Sequence, residues 1–332
     1  MTAVSAEMDR LDRQILHALN VDPRAPFSKI AEVLAVSEQT VARRFRRLRD
    51  AGAINVVGVP NDPRNLRNWL VRLKCRIGTA GAVAEALATR ADVSWVSLMS
   101  GGTEVMCVVR IPVEDPGEDL LLDRLPKTRE ILDISAQVVL YKFWSQDNAD
   151  WDGFPDQLTD SQTDSLRPRF AGAVGTSLRP DDAPLIDALI EDGRATATDL
   201  ADRTGWSAAR VTRRIESLRL GRSLRFETEI LPETVGVRGR AMIWLTVRQG
   251  DVHRAGTALT GIPEVGFAAA VSGRQNMVCA VLCPSLEDIY HLVTSGPIST
   301  LPGLEGAEVS PSDRPFKQER TRVDGRRLRA RA

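Results

Sequence analysis

The 332-residue chain lacks net charge, because its 44 lysine and arginine residues are matched by 44 aspartate and glutamate residues. A neutral chain has no global field that would draw it to nucleic acid or to a membrane, so any such attraction must come from local patches. No apolar run approaches the roughly 20 residues of a membrane span. The N-terminal stretch MTAVSAEMDRLDRQ has no apolar core of signal-peptide length. These absences predict a cytoplasmic protein without a membrane partner.

Residues that bind metals or act as nucleophiles are few and scattered. The histidines are His17, His253 and His291, and none of the four cysteines forms a CxxC pair. Cys279 and Cys283 share one face of an apolar run, which favours buried reduced thiols over a metal site. No Ser-His-Asp, metal or phosphate-loop constellation stands out. The sequence therefore predicts no cofactor and no enzyme.

What the chain does contain is an internal repeat. The segment SEQTVARRFRRLR, which begins at Ser37, has a counterpart SAARVTRRIESLR at Ser207, an offset of 207 − 37 = 170 residues. Further on, VSWVSLMSGGTEVMCVVRIP resembles VGFAAAVSGRQNMVCAVLCP at an offset of 272 − 100 = 172 residues. The chain is therefore two copies of one unit of about 140 residues.

The first part of each copy has the apolar spacing of short helices. Leu11, Ile15 and Leu19 form one stripe, and Val41 and Phe45 begin the buried face of a third helix. The segment AGAINVVGV that follows fits a small β wing. The second part of each copy alternates strands and helices in the order βαββαβ, which is the ferredoxin-like pattern. The predicted fold class is α+β, with two copies of a winged helix-turn-helix and a ferredoxin-like domain.

Two segments lie outside this pattern. Between the copies, a polar segment is interpreted as a linker that packs in part through Trp151, Phe154 and Phe170. The polar and basic C-terminus is interpreted as a mobile tail. The predicted boundaries are 1–60 and 181–236 for the helix-turn-helix domains, 66–144 and 238–316 for the ferredoxin-like domains, 145–180 for the linker and 317–332 for the tail.

The two copies have further features in common. After the first helix, copy two has Asp192-Gly193-Arg194 and copy one has Asp22-Pro23-Arg24, and a Leu-Pro pair precedes the last strand in both copies. With the domain order, these features resemble the Lrp/AsnC (feast/famine) family of transcriptional regulators. Family members usually pair through the ferredoxin-like domain. The resemblance therefore implies an intrachain pseudo-dimer, from which a homo-oligomer would be built.

The resemblance also implies double-stranded DNA as a partner. The second helix of a helix-turn-helix enters the major groove, where Gln pairs with adenine and Arg with guanine or phosphate. A solvated helix face is the alternative. Glu216 interrupts the basic face of copy two, so we expect its half-site contact to be weaker. The predicted DNA-binding residues are Ser37, Gln39, Thr40, Arg43, Arg44, Arg46 and Arg47 in copy one, and Arg210, Thr212, Arg213 and Arg214 in copy two.

In the family, an amino acid or another small metabolite binds near the turn after Ser-Gly, which usually resembles Gly-Asp-x-Asp. Neither copy keeps the first acidic residue, and Arg274 would prefer an anion. Ordinary β-turns that need glycine are the alternative. The candidate effector residues are Ser100, Gly101, Gly102 and Glu104 in copy one, and Ser272, Gly273, Arg274 and Asn276 in copy two.

A related group with the same architecture, the siroheme decarboxylases, is enzymatic and is sometimes fused in tandem. Its members resemble the regulators but carry histidine- and arginine-bearing tetrapyrrole motifs in the ferredoxin-like half. The strand regions VSWVSLMSGGTEV and VGFAAAVSGRQNM lack a His/Tyr/Arg cluster. The sequence therefore favours a DNA-binding regulator over this enzyme and over a protein-interaction scaffold.

Overall fold

The structure, a computed structural model, describes residues 8–60, 66–112, 120–143, 156–168 and 175–329. The chain forms two compact units, and each unit combines segments from both copies of the repeat. The first unit contains Met1–Asn65, Phe154–Thr234 and Glu319–Ala332, and the second contains Leu66–Gly153 and Val235–Gln318.

The first unit contains two three-helix bundles, one from each copy. Head 1 consists of α1 (Arg10–Val21), α2 (Phe27–Leu34) and α3 (Glu38–Asp50). Ser37 precedes α3, and its side chain accepts a hydrogen bond from the backbone N–H of Thr40, which satisfies a free donor at the helix start. Head 2 consists of α6 (Ala183–Glu191), α7 (Ala197–Thr204) and α8 (Ala208–Leu220).

The strand after each head pairs with its counterpart from the other copy. β1 (Ile54–Pro60) and β6 (Leu224–Ile230) form an antiparallel two-stranded sheet in which Ile54 lies opposite Ile230. The small β wing expected from AGAINVVGV is therefore one strand of a pair shared between the two copies. All but the last residue of β1 are buried, and an exposed wing would leave that apolar run in water.

Part of the linker packs against head 1. Its helix α5 (Asp160–Leu166) begins with a capping box and buries Leu166 completely. The Gln162 side chain donates to the carbonyl of Val33 at 2.9 Å, and the Leu158 backbone N–H donates to Nδ1 of His17 at 2.9 Å. The aromatic residues expected to pack the linker, Trp151, Phe154 and Phe170, lie outside the described residues.

The C-terminal segment is ordered structure over Lys317–Arg329, which corrects the interpretation of 317–332 as a tail. β11 (Arg322–Asp324) and β12 (Arg327–Arg329) form a hairpin, named here the C-terminal hairpin. Its buried residues Val323 and Leu328 pack with Leu231. Alternating apolar residues on either side of Asp-Gly are a hairpin signal, which the high arginine content obscured.

The second unit is a closed sheet of eight antiparallel strands. The strands are β2 (Leu66–Cys75), β3 (Val93–Met99), β4 (Glu104–Pro112), β5 (Ile131–Lys142), β7 (Gly239–Val247), β8 (Val265–Val271), β9 (Met277–Cys283) and β10 (Leu304–Pro315). Their order in the sheet is β10-β3-β4-β2-β5-β8-β9-β7, with β10 also paired to β7. Four strands come from each copy, and the copies meet where β5 pairs with β8 and β10 pairs with β3.

Three helices cover one face of this sheet: α4 (Ala80–Ala88), α9 (Val252–Leu259) and α10 (Leu286–Thr294). In copy one, the second helix of the ferredoxin-like pattern is represented in the described residues by short turns over 120–127. The opposite face of the strands forms a separate core around Trp244. No helix in the described ranges is both long and apolar enough to cross a membrane.

Candidate nucleic-acid interface and polar cluster

The apolar face of α3 holds this helix against the rest of head 1. Val41, Phe45 and Leu48 are buried, and the ring of Phe45 lies 5.2 Å from the ring of Phe27. Packing of this face leaves the opposite side of the helix in solvent. Of the predicted contacts in copy one, Thr40 and Arg44 are half-buried, and the exposed ones are Ser37, Gln39, Arg43, Arg46 and Arg47.

Two of the predicted contacts on α3 form ion pairs with α1. Nη1 of Arg44 lies 2.6 Å from a carboxylate oxygen of Asp9 and 2.9 Å from one of Asp12. Arg47 also pairs with Asp12, whose side chain is buried. The hydrogen bond to Asp9 raises the pKa of Arg44. Arg44 therefore fastens α3 to α1 and is a weaker candidate for DNA contact than Arg43.

Head 2 repeats this ion pair at the equivalent positions. Nε of Arg214 donates to Asp182 at 2.7 Å, and its Nη1 donates to Thr176 at 2.6 Å. Asp182 is buried like Asp12, and the hydrogen bond to Asp182 raises the pKa of Arg214. Because both copies keep the pair, Arg214 also holds α8 in place. The third helix of each head, α3 or α8, is named here the recognition helix. The hydroxyl of Thr212 donates to the carbonyl of Ala208 within the helix.

A basic cleft of about 240 Å³ lies beside the recognition helix of head 2. The guanidinium of Arg210 lies over the ring of Trp206 at 4.0 Å, which fixes a cation at the rim. Arg179 also lines the cleft and was missed by the sequence reasoning, because it lies in the segment interpreted as a linker. The lining residues are Arg179, Asp181, Asp182, Trp206, Arg210, Arg213, Arg214 and Ser217.

The two heads exchange arginines from their matching Asp-x-Arg segments. Arg24 donates to the carbonyls of Gly193 and Ala195, and Arg194 donates to those of Pro23 and Ala25. Burial lowers the pKa of each arginine to about 10, so both are charged at neutral pH. Four charge-assisted hydrogen bonds therefore join head 1 to head 2.

Ion pairs and ring contacts support the same interface. Arg49 pairs with Asp192 at 2.9 Å, and Arg219 pairs with Asp22 at 2.9 Å. The guanidinium of Arg194 also lies 4.3 Å from the ring of Phe27. With the β1–β6 pairing, these contacts hold the two recognition helices in a fixed relation within the first unit.

In the second unit, the candidate effector turns are tied to neighbouring strands. Gly101 and Gly102, which follow Ser100, have φ of +70° and +76°, a conformation that favours glycine. The backbone N–H of Gly102 donates to Asp313 at 2.9 Å. In copy two, Oγ of Ser272 accepts from the backbone N–H of Val138 at 3.0 Å.

The remaining residues of the second turn also make structural hydrogen bonds. Gln137 of β5 donates to the carbonyls of Ser272 and Gln275. Asn276 donates to the carbonyl of Val247 at 2.7 Å. Gly273 has φ of +105°, and Arg274 is exposed. Of the residues predicted on the two turns, Glu104 is the one that reaches a charged cluster.

This polar cluster, which consists of Arg72, Glu104, Glu308, Gln275 and Trp244, has Arg72 of β2 at its centre and the exposed Glu308 at its edge. Nη2 of Arg72 lies 3.2 Å from Glu104 and 2.6 Å from Glu308, and Gln275 donates to Glu308 at 2.7 Å. The hydrogen bond from Arg72 lowers the pKa of Glu308. The guanidinium lies 5.1 Å from the ring of Trp244, whose Nε1 has no hydrogen-bond partner among the described residues. The cluster combines two carboxylates, a cation and an aromatic face.

Sequence reasoning named Glu104 but missed the rest of this cluster. Arg72 and Trp244 occupy equivalent positions of the repeat, at 244 − 72 = 172 residues apart, and they meet across the closed sheet. In the sequence, the signal that could have identified Arg72 was an arginine within the apolar strand WLVRLKC.

All four cysteines are buried and free. In the described part of the chain, no group of three or more His, Cys, Asp or Glu residues could hold a metal ion.

The fold and these sites define a protein with paired helix-turn-helix heads and paired ferredoxin-like domains. The model of the AsnC-type helix-turn-helix domain matches residues 8–49 and 181–219, and the model of the Lrp/AsnC ligand binding domain matches 240–321. The chain belongs to the Lrp/AsnC family, in a tandem form that carries the helix-turn-helix domain twice.

Relatives of two kinds match the chain. The HTH-type transcriptional regulator LrpA of Pyrococcus abyssi is 27% identical over 136 residues, which cover 40% of this chain and 96% of LrpA. The siroheme decarboxylase NirDL subunit of Paracoccus pantotrophus is 28% identical over 319 residues, which cover 90% of this chain and 92% of the relative. A crystal structure of siroheme decarboxylase NirDL has a TM-score of 0.61 at 16% identity and covers 94% of this chain and 93% of that one.

These matches correct one expectation from the sequence. The prediction that the chain is not an enzyme is contradicted, because a relative that matches 90% of its length is an enzyme subunit. The exclusion relied on a missing cluster of His, Tyr and Arg in two strand regions. The first of these regions is not isolated from other strands, because Arg72 of β2 pairs there with Glu104 and with Glu308 of β10.

Proposed function

We propose that the chain is a transcriptional regulator that binds double-stranded DNA with both heads at once. The observation that carries the proposal is the reciprocal exchange of Arg24 and Arg194, because it fixes two recognition helices within one unit. A fixed pair of helices can read two half-sites at a defined spacing. The regulators among the relatives, such as LrpA, support the same class of function.

The exposed residues of the recognition helices would make the contacts. On α3, Gln39 and Arg43 lie near the N-terminal end, which presents side chains to base edges, and Arg46 lies further along for phosphate. On α8, Arg213 takes the place of Arg43, and Arg210, stacked on Trp206, takes that of Thr40. Glu216 remains a source of repulsion, so we expect head 1 to contribute more affinity than head 2.

The variant Arg43→Gln/Arg46→Gln tests this assignment. We expect at least a tenfold loss of affinity for DNA from the chain's own upstream region, and a fall of about 2 in the slope of log K against log salt. Fluorescence anisotropy at several salt concentrations measures both quantities. The variant Arg210→Gln/Arg213→Gln should lose less affinity than Arg43→Gln/Arg46→Gln. Equal losses would contradict the expectation that head 1 contributes more affinity than head 2.

Arg44→Gln is the matched control for Arg43→Gln. It removes the same charge from the same helix, but it leaves Asp12 buried without this partner. We therefore expect it to lower the melting temperature, whereas Arg43→Gln should leave that temperature unchanged. If the two single variants lost the same DNA affinity with unchanged melting temperatures, the structural role of Arg44 would be excluded.

For the second unit, we infer a site for a small zwitterionic metabolite such as an amino acid. In the polar cluster around Arg72, Glu104 and Glu308 suit an ammonium group and Arg72 suits a carboxylate. A thermal-shift panel of amino acids on the full chain tests this. We expect a shift that Glu308→Gln abolishes and that the exposed control Glu305→Gln on the same strand retains. If no amino acid in the panel shifted the melting temperature, the result would contradict the site.

A second candidate function is decarboxylation of a tetrapyrrole. Its support is the match to the siroheme decarboxylase NirDL subunit over 90% of the chain. Such a step breaks a C–C bond, releases CO₂ and places a proton on the remaining carbon. Incubation of the protein with siroheme, followed by mass spectrometry, would show a loss of CO₂ from the pigment. Unchanged siroheme, together with tight binding of upstream DNA, would favour the regulator.

A further inference from the structure

The C-terminal hairpin presents a concentrated positive charge. Its inward residues Val323 and Leu328 are buried, and the residues between them face solvent. The exposed arginines outnumber the single exposed aspartate, Asp324, by four to one, which gives a net charge of 4 − 1 = +3 over eight residues. The exposed arginines are Arg322, Arg326, Arg327 and Arg329.

The hairpin is attached beside the C-terminal end of the recognition helix of head 1. The backbone N–H of Leu328 donates to the carbonyl of Gly52 at 2.7 Å, two residues after α3 ends at Asp50. Gly52 has φ of +69°, and a Cβ there would lie 2.9 Å from Cβ of Arg327. Glycine at this position therefore allows the hairpin to approach the end of α3 closely.

A buried polar contact holds the segment that leads into the hairpin. Glu229 on β6 accepts from the backbone N–H of Arg320 at 2.7 Å and from that of Thr321 at 3.2 Å. The Thr321 hydroxyl also donates to Glu229, and Asn55 donates to Thr321 at 2.8 Å. The hairpin thus has a defined position on the first unit and is not a loose tail.

The hairpin is a one-sided addition to a repeated structure. The match to the ligand-binding domain ends at residue 321, so the hairpin lies beyond it. At the equivalent end of the recognition helix in head 2, Gly221 meets the backbone of Thr176 instead. In the described part of the chain, head 1 alone carries a basic hairpin at this place.

We propose that the C-terminal hairpin is a DNA-binding element of head 1, which grips the phosphate backbone next to the groove that α3 enters. The inference rests on the proposed DNA-binding function. Charge complementarity supports it, since arginines attract phosphates independently of base sequence. Continuity also supports it, because Arg46 carries an exposed positive charge about one turn before α3 ends at Asp50.

The test compares two variants that lose the same charge from the full chain. Arg322→Gln/Arg326→Gln/Arg327→Gln alters the hairpin and keeps Arg329 paired with Asp324. The control, Arg67→Gln/Arg129→Gln/Arg254→Gln, alters exposed residues of the second unit. The probe is a duplex of random sequence, and its affinity is measured by anisotropy over a range of salt concentrations.

We expect the hairpin variant to bind at least tenfold more weakly at fixed salt and to lower the salt slope by about 3, with an unchanged melting temperature. The control should lower the slope by less than about 1. Equal slopes for the two variants, with intact DNA binding that still depends on Arg43, would overturn this inference alone. No DNA binding by the unaltered chain would overturn the proposed function and this inference with it.

Discussion

Replacement of both Arg24 and Arg194 by alanine is expected to lower the free energy of unfolding of the first unit by about 2–4 kcal/mol. The substitution removes four hydrogen bonds to backbone carbonyls at the interface between the heads. It also relieves the repulsion between the two guanidinium groups, which keeps the expected loss below the sum of four charged hydrogen bonds. Urea denaturation measures the energy, and hydrogen exchange of peptides from β1 and β6 locates the change.

Arg203→Ala is the control for this prediction. Arg203 forms an exposed ion pair with Glu191 on head 2, so its loss should cost less than about 1 kcal/mol. Replacement of Arg24 and Arg194 by lysine keeps the charge but loses the forked geometry, and an intermediate loss is expected. If the double alanine variant unfolded like Arg203→Ala, the exchanged arginines would not hold the heads together.

Glu229→Gln is expected to remove a component of the pH dependence of stability. Burial raises the pKa of Glu229 from 4.5 to about 7 in the folded protein. Between about pH 4.5 and pH 7, Glu229 therefore holds a proton in the folded state that it has released in the unfolded state. Stability therefore falls as pH rises from about 4.5 to about 7, by up to about 3 kcal/mol for this group, and is constant above that range.

The measurement is the difference in unfolding free energy between the variant and the parent at several pH values. Glutamine cannot ionise, so the difference should grow in favour of the variant between about pH 4.5 and pH 7. The neighbouring charges are Glu227 and Arg225 on the same strand and Glu319 on the C-terminal segment. A difference that stays flat across this pH range would contradict the buried proton on Glu229.

Local periodicity was sufficient to predict most of the elements. The i, i+4 spacing of Leu11, Ile15 and Leu19 gave α1, and the alternation in the second half of each copy gave the ferredoxin-like strands. Helix and strand periods are local properties, and the repeat supplied a second example of each element.

Contacts between distant segments were beyond that reasoning. Burial of β1 depends on β6, which lies about half the chain away, so the segment was assigned to a wing. The Arg44–Asp12 pair was missed because both residues suit a solvated helix surface when considered alone. Its recurrence as Arg214–Asp182 at the same separation was a usable signal, since 44 − 12 and 214 − 182 both equal 32.

Pairing β1 with β6 inside one chain has a consequence for the DNA sequence that such a regulator can recognise. Two identical subunits present identical recognition helices, so their operator has to be a palindrome. Here the paired helices are encoded separately, and they already differ where Arg46 and Arg47 of one correspond to Glu216 and Ser217 of the other. The C-terminal hairpin adjoins head 1 and adds to this difference. We therefore expect a directional operator, which would orient the whole protein relative to the gene it controls.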